Sequence, residues 1–244
     1  MTSKEKIAGG CAAIARMAGV SLFQPHCRLC GSDLVLAGEK IICRDCRQKV
    51  RPATENQCRR CGKFIPAGIE TCGSCLLQPS PFLRHISYAA YEGPLREIII
   101  LYKYGELEPL RTFLASLYLD MVRTRLPGGF QAVVPVPVDR QRRHGFMPVR
   151  AMGRLLAREL ELEFLPGLLR KTKSTPPQVG LTQAQRKTNL DGAFALATAR
   201  SLAGKEILLI DDVITTGTTI GKCAALLKKK GARVTALTLA QSRF

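Results

Sequence analysis

Residues 207–219 constrain the fold more than any other stretch of this chain. Four apolar residues, Ile207 to Ile210, precede two adjacent carboxylates, Asp211 and Asp212. A short, uninterrupted apolar run is typical of a strand that is buried on both faces of a parallel sheet. Ligands of such sheets bind beyond the carboxyl ends of the strands, so both acids are expected at a binding edge.

The turn that follows these acids has the composition of a phosphate cradle, and it reads Thr215-Thr216-Gly217-Thr218-Thr219. Glycine lets the backbone approach a ligand, while the hydroxyls and the free N–H groups of a starting helix attract an anion. Paired acids accept hydrogen bonds from vicinal hydroxyls and can hold Mg²⁺. The stretch therefore predicts a site for a phosphorylated sugar. The alternative is an ordinary strand, turn and capped helix, which would leave two adjacent acids without partners at a buried strand end.

Eight of the ten cysteines form four Cys-x-x-Cys pairs: Cys27/Cys30, Cys43/Cys46, Cys58/Cys61 and Cys72/Cys75. The intervals between successive pairs are long enough for hairpins that bring two pairs together around a tetrahedral zinc ion. Disulfides are the alternative, and they are disfavoured because nothing in the sequence indicates export and the cytosol keeps thiols reduced. We expect two structural zinc ions, because closed four-cysteine sites leave no open position for catalysis. Sequential pairing is favoured, and a cross-braced arrangement is also allowed.

The chain is strongly basic, with a formal net charge of +18. The stretch from residue 140 to residue 187 contains eleven basic residues and three acidic ones. The positive electrostatic field of such a stretch favours the binding of a pyrophosphate-bearing small molecule or of a nucleic-acid backbone, and it does not distinguish between them. A solvated basic surface that serves solubility is the alternative. No apolar run reaches the roughly 18 residues needed for a membrane span, so we expect a cytoplasmic protein.

The order of patterns predicts three segments: an N-terminal helix over 1–24, a cysteine-rich module over 25–78, and an α/β domain over 79–244. Prolines near residue 80 mark the second boundary. Within the last segment, the predicted strands are 85–91, 133–135, 206–210 and 234–239, and the predicted helices are 95–104, 110–122, 149–160 and 219–230. This alternation predicts a mostly parallel sheet with helices on both faces.

The motifs, taken in order, resemble the ComF/GntX family. They are the four Cys-x-x-Cys pairs, the basic stretch 140–146, the polar stretch 170–189 and the motif 207–219, which is similar to the phosphoribosyl-pyrophosphate (PRPP) signature of type I phosphoribosyltransferases. The resemblance implies a double zinc ribbon fused to a phosphoribosyltransferase-type domain, with a link to DNA uptake in natural transformation. It further implies that Asp211 and Asp212 hold the ribose hydroxyls and that Thr215 to Thr219 hold the 5-phosphate, with Mg²⁺ accompanying PRPP.

Further candidates surround this motif. Lys103, Arg142 and Arg143 are candidate pyrophosphate contacts. The stretch 168–190 reads as a long irregular loop of the kind that closes over sites, and its candidate ligand contacts are Arg170, Thr175, Gln178 and Arg186. The chain departs from the family pattern at Met147 and Pro148, where the family has Asn and Gln. No residue is identified as the group that activates an acceptor.

Two functions fit these observations. The first is an enzyme that transfers phosphoribosyl from PRPP to an acceptor that the sequence does not identify. The second is a non-catalytic competence accessory protein that senses PRPP and binds single-stranded DNA, with DNA-uptake proteins as further partners. An aromatic content of 6% and the absence of tryptophan argue against the second function, because single-strand binders stack bases on aromatic rings.

Overall fold

The computed structural model describes residues 25–35, 40–78, 80–138, 146–173, 192–197 and 201–243. The chain divides into two compact units, a smaller unit, Met1–Val50, and a larger unit, Arg51–Phe244. The division falls between the second and third cysteine pairs, so each unit contains two of the four pairs. The predicted boundary after residue 78 stays a prediction, and the predicted helix over 1–24 lies outside the described residues.

The described part of the smaller unit, from Pro25 onward, contains one helix, α1 (Arg44–Gln48). The Cys43 thiol caps this helix by accepting a hydrogen bond from the Cys46 N–H. Ile42 and Val50 are buried beside the cysteines. So small an apolar core supplies little stability by itself, and units of this kind depend on bound metal for much of their folding free energy.

The larger unit contains seven strands and five helices within its described residues. The strands are β1 (Arg84–Ala90), β2 (Ala132–Pro135), β3 (Glu163–Phe164), β4 (Leu169–Lys171), β5 (Phe194–Leu196), β6 (Glu206–Ile214) and β7 (Arg233–Gln241). The helices are α2 (Gly73–Leu77), α3 (Gly93–Tyr104), α4 (Leu110–Arg125), α5 (Pro148–Glu159) and α6 (Thr218–Lys229). Across the residues described, no helix combines the length and the apolar character that crossing a membrane requires.

Five of the strands form one sheet in the order β1-β7-β6-β2-β3, and each of these pairings is parallel. β6 and β2 are two of the three inner strands, and residues 207–210 and 132–134 are completely buried. Continuous apolar strands of this kind need cover on both faces. β4 and β5 pair with each other, antiparallel, in a separate two-stranded sheet.

Helices pack on both faces of the sheet, which confirms the predicted fold class. On one face, Ile207 and Leu209 of β6 share an apolar cluster with Ile220 and Leu227 of α6. On the other face, α5 approaches β6 so closely that a Cβ atom on Gly153 would lie 2.7 Å from Ile210 Cδ1. Glycine at this position therefore sets the spacing between α5 and the sheet.

Two elements differ from the prediction. β6 does not end before the acids but continues through them to Ile214, because β7 pairs with it along the whole length. The stretch predicted to be irregular from residue 168 begins with a short strand, in which Arg170 pairs with Ala195 of β5. This pairing joins residues that are far apart in sequence, so local pattern does not indicate it.

Candidate functional site

An opening in the sheet lies beside the two carboxylates. β2 ends at Pro135, and its last contact with β6 is the hydrogen bond from Val136 N to Ile210 O, at 2.9 Å. β7 continues to pair with β6 as far as Ile214, which lies opposite Gln241. The prolines of residues 135–137 stop the β2 ladder, because proline has no N–H to donate. Residues 211–214 are therefore paired on one side only.

This opening leads into a cavity of about 320 Å³, here called the carboxylate cavity. Its lining residues come from three parts of the fold: Lys103 of α3, residues 136–138 after β2, and residues 211–220 of β6, the following loop and α6. Every position predicted to bind ribose or the 5-phosphate lines it. The structure therefore brings these predicted residues together at the carboxyl edge of the sheet, as expected for an open α/β fold.

Asp211 and Asp212 are adjacent in an extended strand, so their side chains leave β6 toward opposite faces. Asp211 Oδ1 accepts the Asp212 N–H at 2.9 Å, and Asp212 Oδ1 accepts the Val213 N–H at 2.7 Å. These local bonds fix both carboxyl groups against the strand. Asp212 is buried, whereas Asp211 is partly exposed toward the cavity.

Lys103 is the cation that balances Asp212. Its ammonium lies 2.9 Å from Oδ1 and 2.8 Å from Oδ2 of that carboxylate. The two side chains are 16% and 9% exposed, so water screens the pair only weakly. Burial alone would lower the pKa of the Lys103 ammonium, but the charges of Asp212 and Asp211 outweigh it, and the pKa is raised above its ordinary value. The structure thus places the predicted Lys103 in the site, against a carboxylate.

Tyr118 of α4 is a site residue that sequence reasoning missed. Its hydroxyl donates a short hydrogen bond to the backbone carbonyl of Asp211, and its side chain is completely buried. Burial, together with the nearby charges of Asp212 and Asp211, raises the pKa of the Tyr118 phenol well above its ordinary value. Its position on the apolar face of a helix was the available signal, since a buried tyrosine hydroxyl needs a polar partner.

The loop after β6 has the backbone geometry of an anion cradle. Gly217 has a φ of 76°, in the left-handed region, and caps the N-terminus of α6. The Thr216 and Thr218 hydroxyls lie 2.9 Å apart. The first N–H groups of α6 have no partner within the helix, and together with the helix dipole they favour negative charge at this end. The loop can therefore bind a phosphate with backbone amides and hydroxyls.

A second cavity, of about 200 Å³, shares residues 136–138 with the carboxylate cavity. We call it the cationic cavity, because its charged lining residues among those described are Arg150, Arg170 and Lys171. Proline, valine and leucine side chains form the rest of its wall, with Met147 at the rim. The structure thus places the predicted Arg170 next to the carboxylate cavity, and it adds Arg150 and Lys171, which sequence reasoning missed.

Other predicted contacts cannot be assigned a position. Arg142, Arg143, Thr175, Gln178 and Arg186 all lie outside the described residues. The roles suggested for these residues stay predictions.

The first cysteine cluster, Cys27, Cys30, Cys43 and Cys46, lies in the smaller unit, and its ligand atoms are all within 4.8 Å of one another. Cys30 Sγ lies 3.7 Å from Cys43 Sγ. A tetrahedral zinc ion with Zn–S bonds of about 2.3 Å separates its sulfurs by about 3.8 Å, which this spacing matches. The Cys43 N–H points at Cys27 Sγ, at 3.4 Å, as a thiolate acceptor requires. The four thiols fit one closed zinc site.

The second cysteine cluster, Cys58, Cys61, Cys72 and Cys75, repeats this arrangement in the larger unit. Cys61 Sγ lies 3.6 Å from Cys72 Sγ, and the Cys72 N–H donates to Cys58 Sγ at 3.3 Å. Both clusters combine pairs that follow each other in sequence, so the grouping is sequential rather than cross-braced. No cysteine of the second cluster lines the carboxylate cavity, which agrees with a structural role for its metal.

Two family models match the chain. The double zinc ribbon domain matches residues 20–76, and the phosphoribosyl transferase domain matches residues 143–243. The first match spans both cysteine clusters, and the second spans the cationic residues, the paired acids and the threonine-rich loop. The two four-cysteine sites therefore fit a double zinc ribbon, and the parallel sheet belongs to a phosphoribosyltransferase-type domain.

Curated relatives cover most of the chain. Competence protein F of Haemophilus influenzae is 30% identical over 87% of this chain and 94% of its own length. DNA utilization protein YhgH of Escherichia coli strain K12 is 31% identical over 84% of this chain and 92% of its own length. Adenine phosphoribosyltransferase of Mycobacterium marinum is 28% identical over 52% of this chain and 78% of its own length. With a double zinc ribbon, a phosphoribosyltransferase-type domain and full-length relatives of this kind, the chain belongs to the ComF/GntX family.

Proposed function

We propose that the chain binds PRPP in the carboxylate cavity and transfers its phosphoribosyl group to an acceptor. The observation that carries this proposal is the union of two carboxylates and an anion cradle in one cavity, within a single run of nine residues from Asp211 to Thr219. Carboxylates suit the hydroxyls of a sugar, and a left-handed glycine at a helix N-terminus suits a phosphate. A sugar phosphate satisfies both at once.

Each side chain has a definite part in this proposal. Asp211, which is more exposed, accepts hydrogen bonds from the ribose hydroxyls together with Asp212. The loop from Thr215 to Thr219 binds the 5-phosphate through backbone amides and hydroxyls. Lys103 holds Asp212 in an ion pair and presents positive charge to the cavity. Such fixed electrostatics is the main contribution that a protein makes to a reaction of this type.

Magnesium is part of the proposal because PRPP carries a pyrophosphate whose charge must be neutralised. Carboxylate oxygens, water and phosphate oxygens are the ligands that Mg²⁺ prefers. Asp211 fits this role better than Asp212, because the Asp211 side chain is partly exposed toward the cavity and Asp212 is buried. When bound, the ion would stabilise the departing pyrophosphate.

The transfer itself forms one bond and breaks one. A nucleophilic atom of the acceptor forms a bond to C1 of the ribose, and the bond from C1 to the pyrophosphate oxygen breaks. The pyrophosphate leaves with that electron pair, and the acceptor loses its proton to water. Holding both partners in one place supplies much of the rate, since the reaction then becomes effectively unimolecular.

The cationic cavity is where we place the acceptor. It adjoins the carboxylate cavity through residues 136–138, so an occupant would lie beside the ribose. Apolar walls of proline and valine suit a planar ring, and Arg150, Arg170 and Lys171 suit a negative charge. We infer that the acceptor is a planar compound that carries a carboxylate or a phosphate.

A second function has its own support. The relatives named for competence and DNA utilization, together with the net charge of +18, favour a protein that contacts DNA during transformation. In that case the domain would bind PRPP as a signal, and the basic surface would hold single-stranded DNA through its phosphates. Such binding should weaken steeply as salt is raised. A cytoplasmic location accords with either function and stays a prediction.

The deciding experiment measures PRPP binding by calorimetry with Mg²⁺, and pyrophosphate release with aromatic carboxylates and nucleotides as acceptors. Asp211→Asn should abolish both, whereas Glu159→Gln, which alters an exposed ion pair on α5, should preserve both. PRPP binding without turnover, combined with salt-sensitive DNA binding, would favour the second function. If wild type binds no PRPP, both functions fail.

Within the enzyme hypothesis, Arg170→Met should raise the KM for an anionic acceptor and leave the KM for PRPP unchanged. A neutral acceptor such as adenine should show no such difference. An equal effect on charged and neutral acceptors would contradict the assignment of the cationic cavity.

A further inference from the structure

The second cysteine cluster is bonded to the central sheet. The chain that leads into it runs beside β1, where Ala53 N donates to Tyr88 O at 2.7 Å. The Gln57 side chain donates to Ser87 O at 3.1 Å and accepts the Ser87 N–H at 3.3 Å. These residues all belong to the larger unit, so the second cluster and the carboxylate cavity share one compact body.

His85 connects this cluster to the sheet. It is 1% exposed, with Nδ1 2.6 Å from the carbonyl oxygen of Cys61 and Nε2 3.0 Å from Thr238 Oγ1. Burial lowers the pKa of the imidazole to about 4, so the ring is neutral at pH 7. A carbonyl can only accept, so Nδ1 carries the hydrogen and Nε2 accepts from the Thr238 hydroxyl. The ring thus joins the backbone of a zinc ligand to β7.

Gly62 allows the ring to lie this close to the metal site. Its φ is +72°, and a Cβ atom at this position would lie 2.4 Å from His85 Nδ1. No other residue type fits both the backbone conformation and the space. The cysteine knuckle is therefore shaped to receive His85.

From Thr238 the contacts continue toward the binding site. The Ser87 hydroxyl lies 2.8 Å from Thr238 Oγ1 and 3.2 Å from Gln241 Oε1, and all three side chains are buried. In the pairing of β7 with β6, Thr238 lies opposite Asp211, and Gln241 lies opposite Ile214. The Ser242 N–H also donates to Ile214 O at 2.9 Å. The polar chain thus ends on β7, whose backbone pairs with the part of β6 that carries the carboxylates and leads into the phosphate loop.

A cavity of about 520 Å³ separates the back of this loop from the cluster, and we call it the ribbon cavity. Cys61, Cys72 and Cys75 line one side, and residues 214–217 line the other. The loop is therefore not packed directly against the cluster along this side. Its position depends instead on the β6–β7 pairing, which the His85 contacts support.

We propose that the second cysteine cluster, when it holds its metal, positions the sugar-phosphate site through His85 and Thr238. Loss of this metal, or of the His85–Thr238 contact, loosens residues 211–217 and weakens PRPP binding, whereas loss of the first cluster's metal does not. His85 and Thr238 are positioning residues, because neither lines the carboxylate cavity. The effect on PRPP rests on the proposed function, but the loosening of the loop does not.

The test compares two isosteric changes on one strand of the intact protein. Thr238→Val removes the hydroxyl that bonds to His85, and Thr235→Val removes a hydroxyl that is also buried on β7. We expect Thr238→Val to raise the Kd for PRPP about fivefold, which is the change in an equilibrium constant that the loss of one buried hydrogen bond usually causes. Thr235→Val should leave that Kd unchanged. Both variants should retain two zinc ions per chain.

A second readout does not depend on PRPP. Hydrogen exchange should be faster at residues 211–217 in Thr238→Val and in the second-cluster variant Cys61→Ser than in wild type. The first-cluster variant Cys30→Ser should lose its zinc and still show wild-type exchange at these residues. Equal exchange in all variants would overturn the proposal. If no PRPP binds but exchange responds as expected, the proposed function fails and the positioning role stands.

Discussion

The Lys103 ammonium bonds to both carboxylate oxygens of Asp212, and the pair joins the last turn of α3 to the inner strand β6. The two residues are 109 positions apart in sequence, yet each satisfies a charge that the other would otherwise leave buried. Asp212 is thereby held in a buried ion pair, whereas Asp211 is partly exposed toward the carboxylate cavity. This division of roles between adjacent acids leads to the first prediction.

Lys103→Met should destabilise the protein by about 3 kcal/mol, because it leaves the Asp212 charge buried without its partner. Urea unfolding measures this loss. Arg158→Met, which removes one partner of an exposed pair with Glu159, should cost less than about 1 kcal/mol. The double variant Lys103→Met/Asp212→Asn should recover part of the stability without recovering PRPP binding. Equal losses for the buried and the exposed pair would contradict the prediction.

Gly217→Ala should weaken PRPP binding more than it weakens the fold. Alanine in the left-handed region costs about 1 to 2 kcal/mol, and the new Cβ atom would lie 3.3 Å from Ile214 Cδ1. Gly128→Ala is the matched control, because Gly128 also has a positive φ, and its Cβ position has no atom within 4 Å. Both variants should lose similar stability, and only Gly217→Ala should raise the Kd for PRPP in calorimetry.

Tyr118→Phe should destabilise the protein by about 1 to 2 kcal/mol, since it removes the donor to the Asp211 carbonyl and leaves a buried acceptor unsatisfied. Tyr102→Phe removes a longer bond, from the Tyr102 hydroxyl to Pro148 O at 3.3 Å, and should cost less. Thermal unfolding compares the two variants. A larger loss in Tyr102→Phe would show that the Asp211 contact is not the stronger one.

Cys223 should resist alkylation in the folded protein. Burial, with a smaller contribution from the Asp211 charge, raises the pKa of this thiol, and the thiolate is the reactive form. Because the pKa is higher in the folded than in the unfolded state, the group stabilises the fold at neutral pH. That contribution declines as pH rises above the ordinary thiol value of about 8.5.

Mass spectrometry after iodoacetamide treatment at pH 8 should find Cys223 unmodified until urea unfolds the protein. The variant Cys223→Ala should lose less stability than wild type between pH 8 and pH 10. Rapid alkylation of Cys223 in native protein would contradict its burial between α6 and the sheet.

Local patterns predicted the parts of the site that are contiguous in sequence. The acids and the threonine-rich loop occupy one stretch, so strand, edge and cradle could be inferred in order, and the cysteine spacing indicated two zinc sites. Partnerships over long separations could not be inferred this way. Lys103 was a candidate, but its bond to Asp212 depends on how α3 packs on the sheet.

The same limit applies to Tyr118, His85 and the strand pair that includes Arg170. Each is placed by tertiary contacts, such as the bond from His85 to Thr238, which spans 153 positions. Hydrophobic periodicity describes which face of an element is buried, but it does not say which polar group will lie opposite. The length of strand β6 was underestimated for a related reason. Pairing with β7 extends the strand through the two polar residues Asp211 and Asp212.

The segment of residues 53–57 covers the outer edge of β1, which is otherwise the last strand on that side of the sheet. An uncovered strand edge offers unpaired N–H and C=O groups to other molecules. Residues 53–57 lead directly into the second cysteine cluster, so we expect the metal of that cluster to help to keep this segment in place along β1. Chains synthesised without enough zinc would expose this strand edge and should aggregate more readily than zinc-loaded chains.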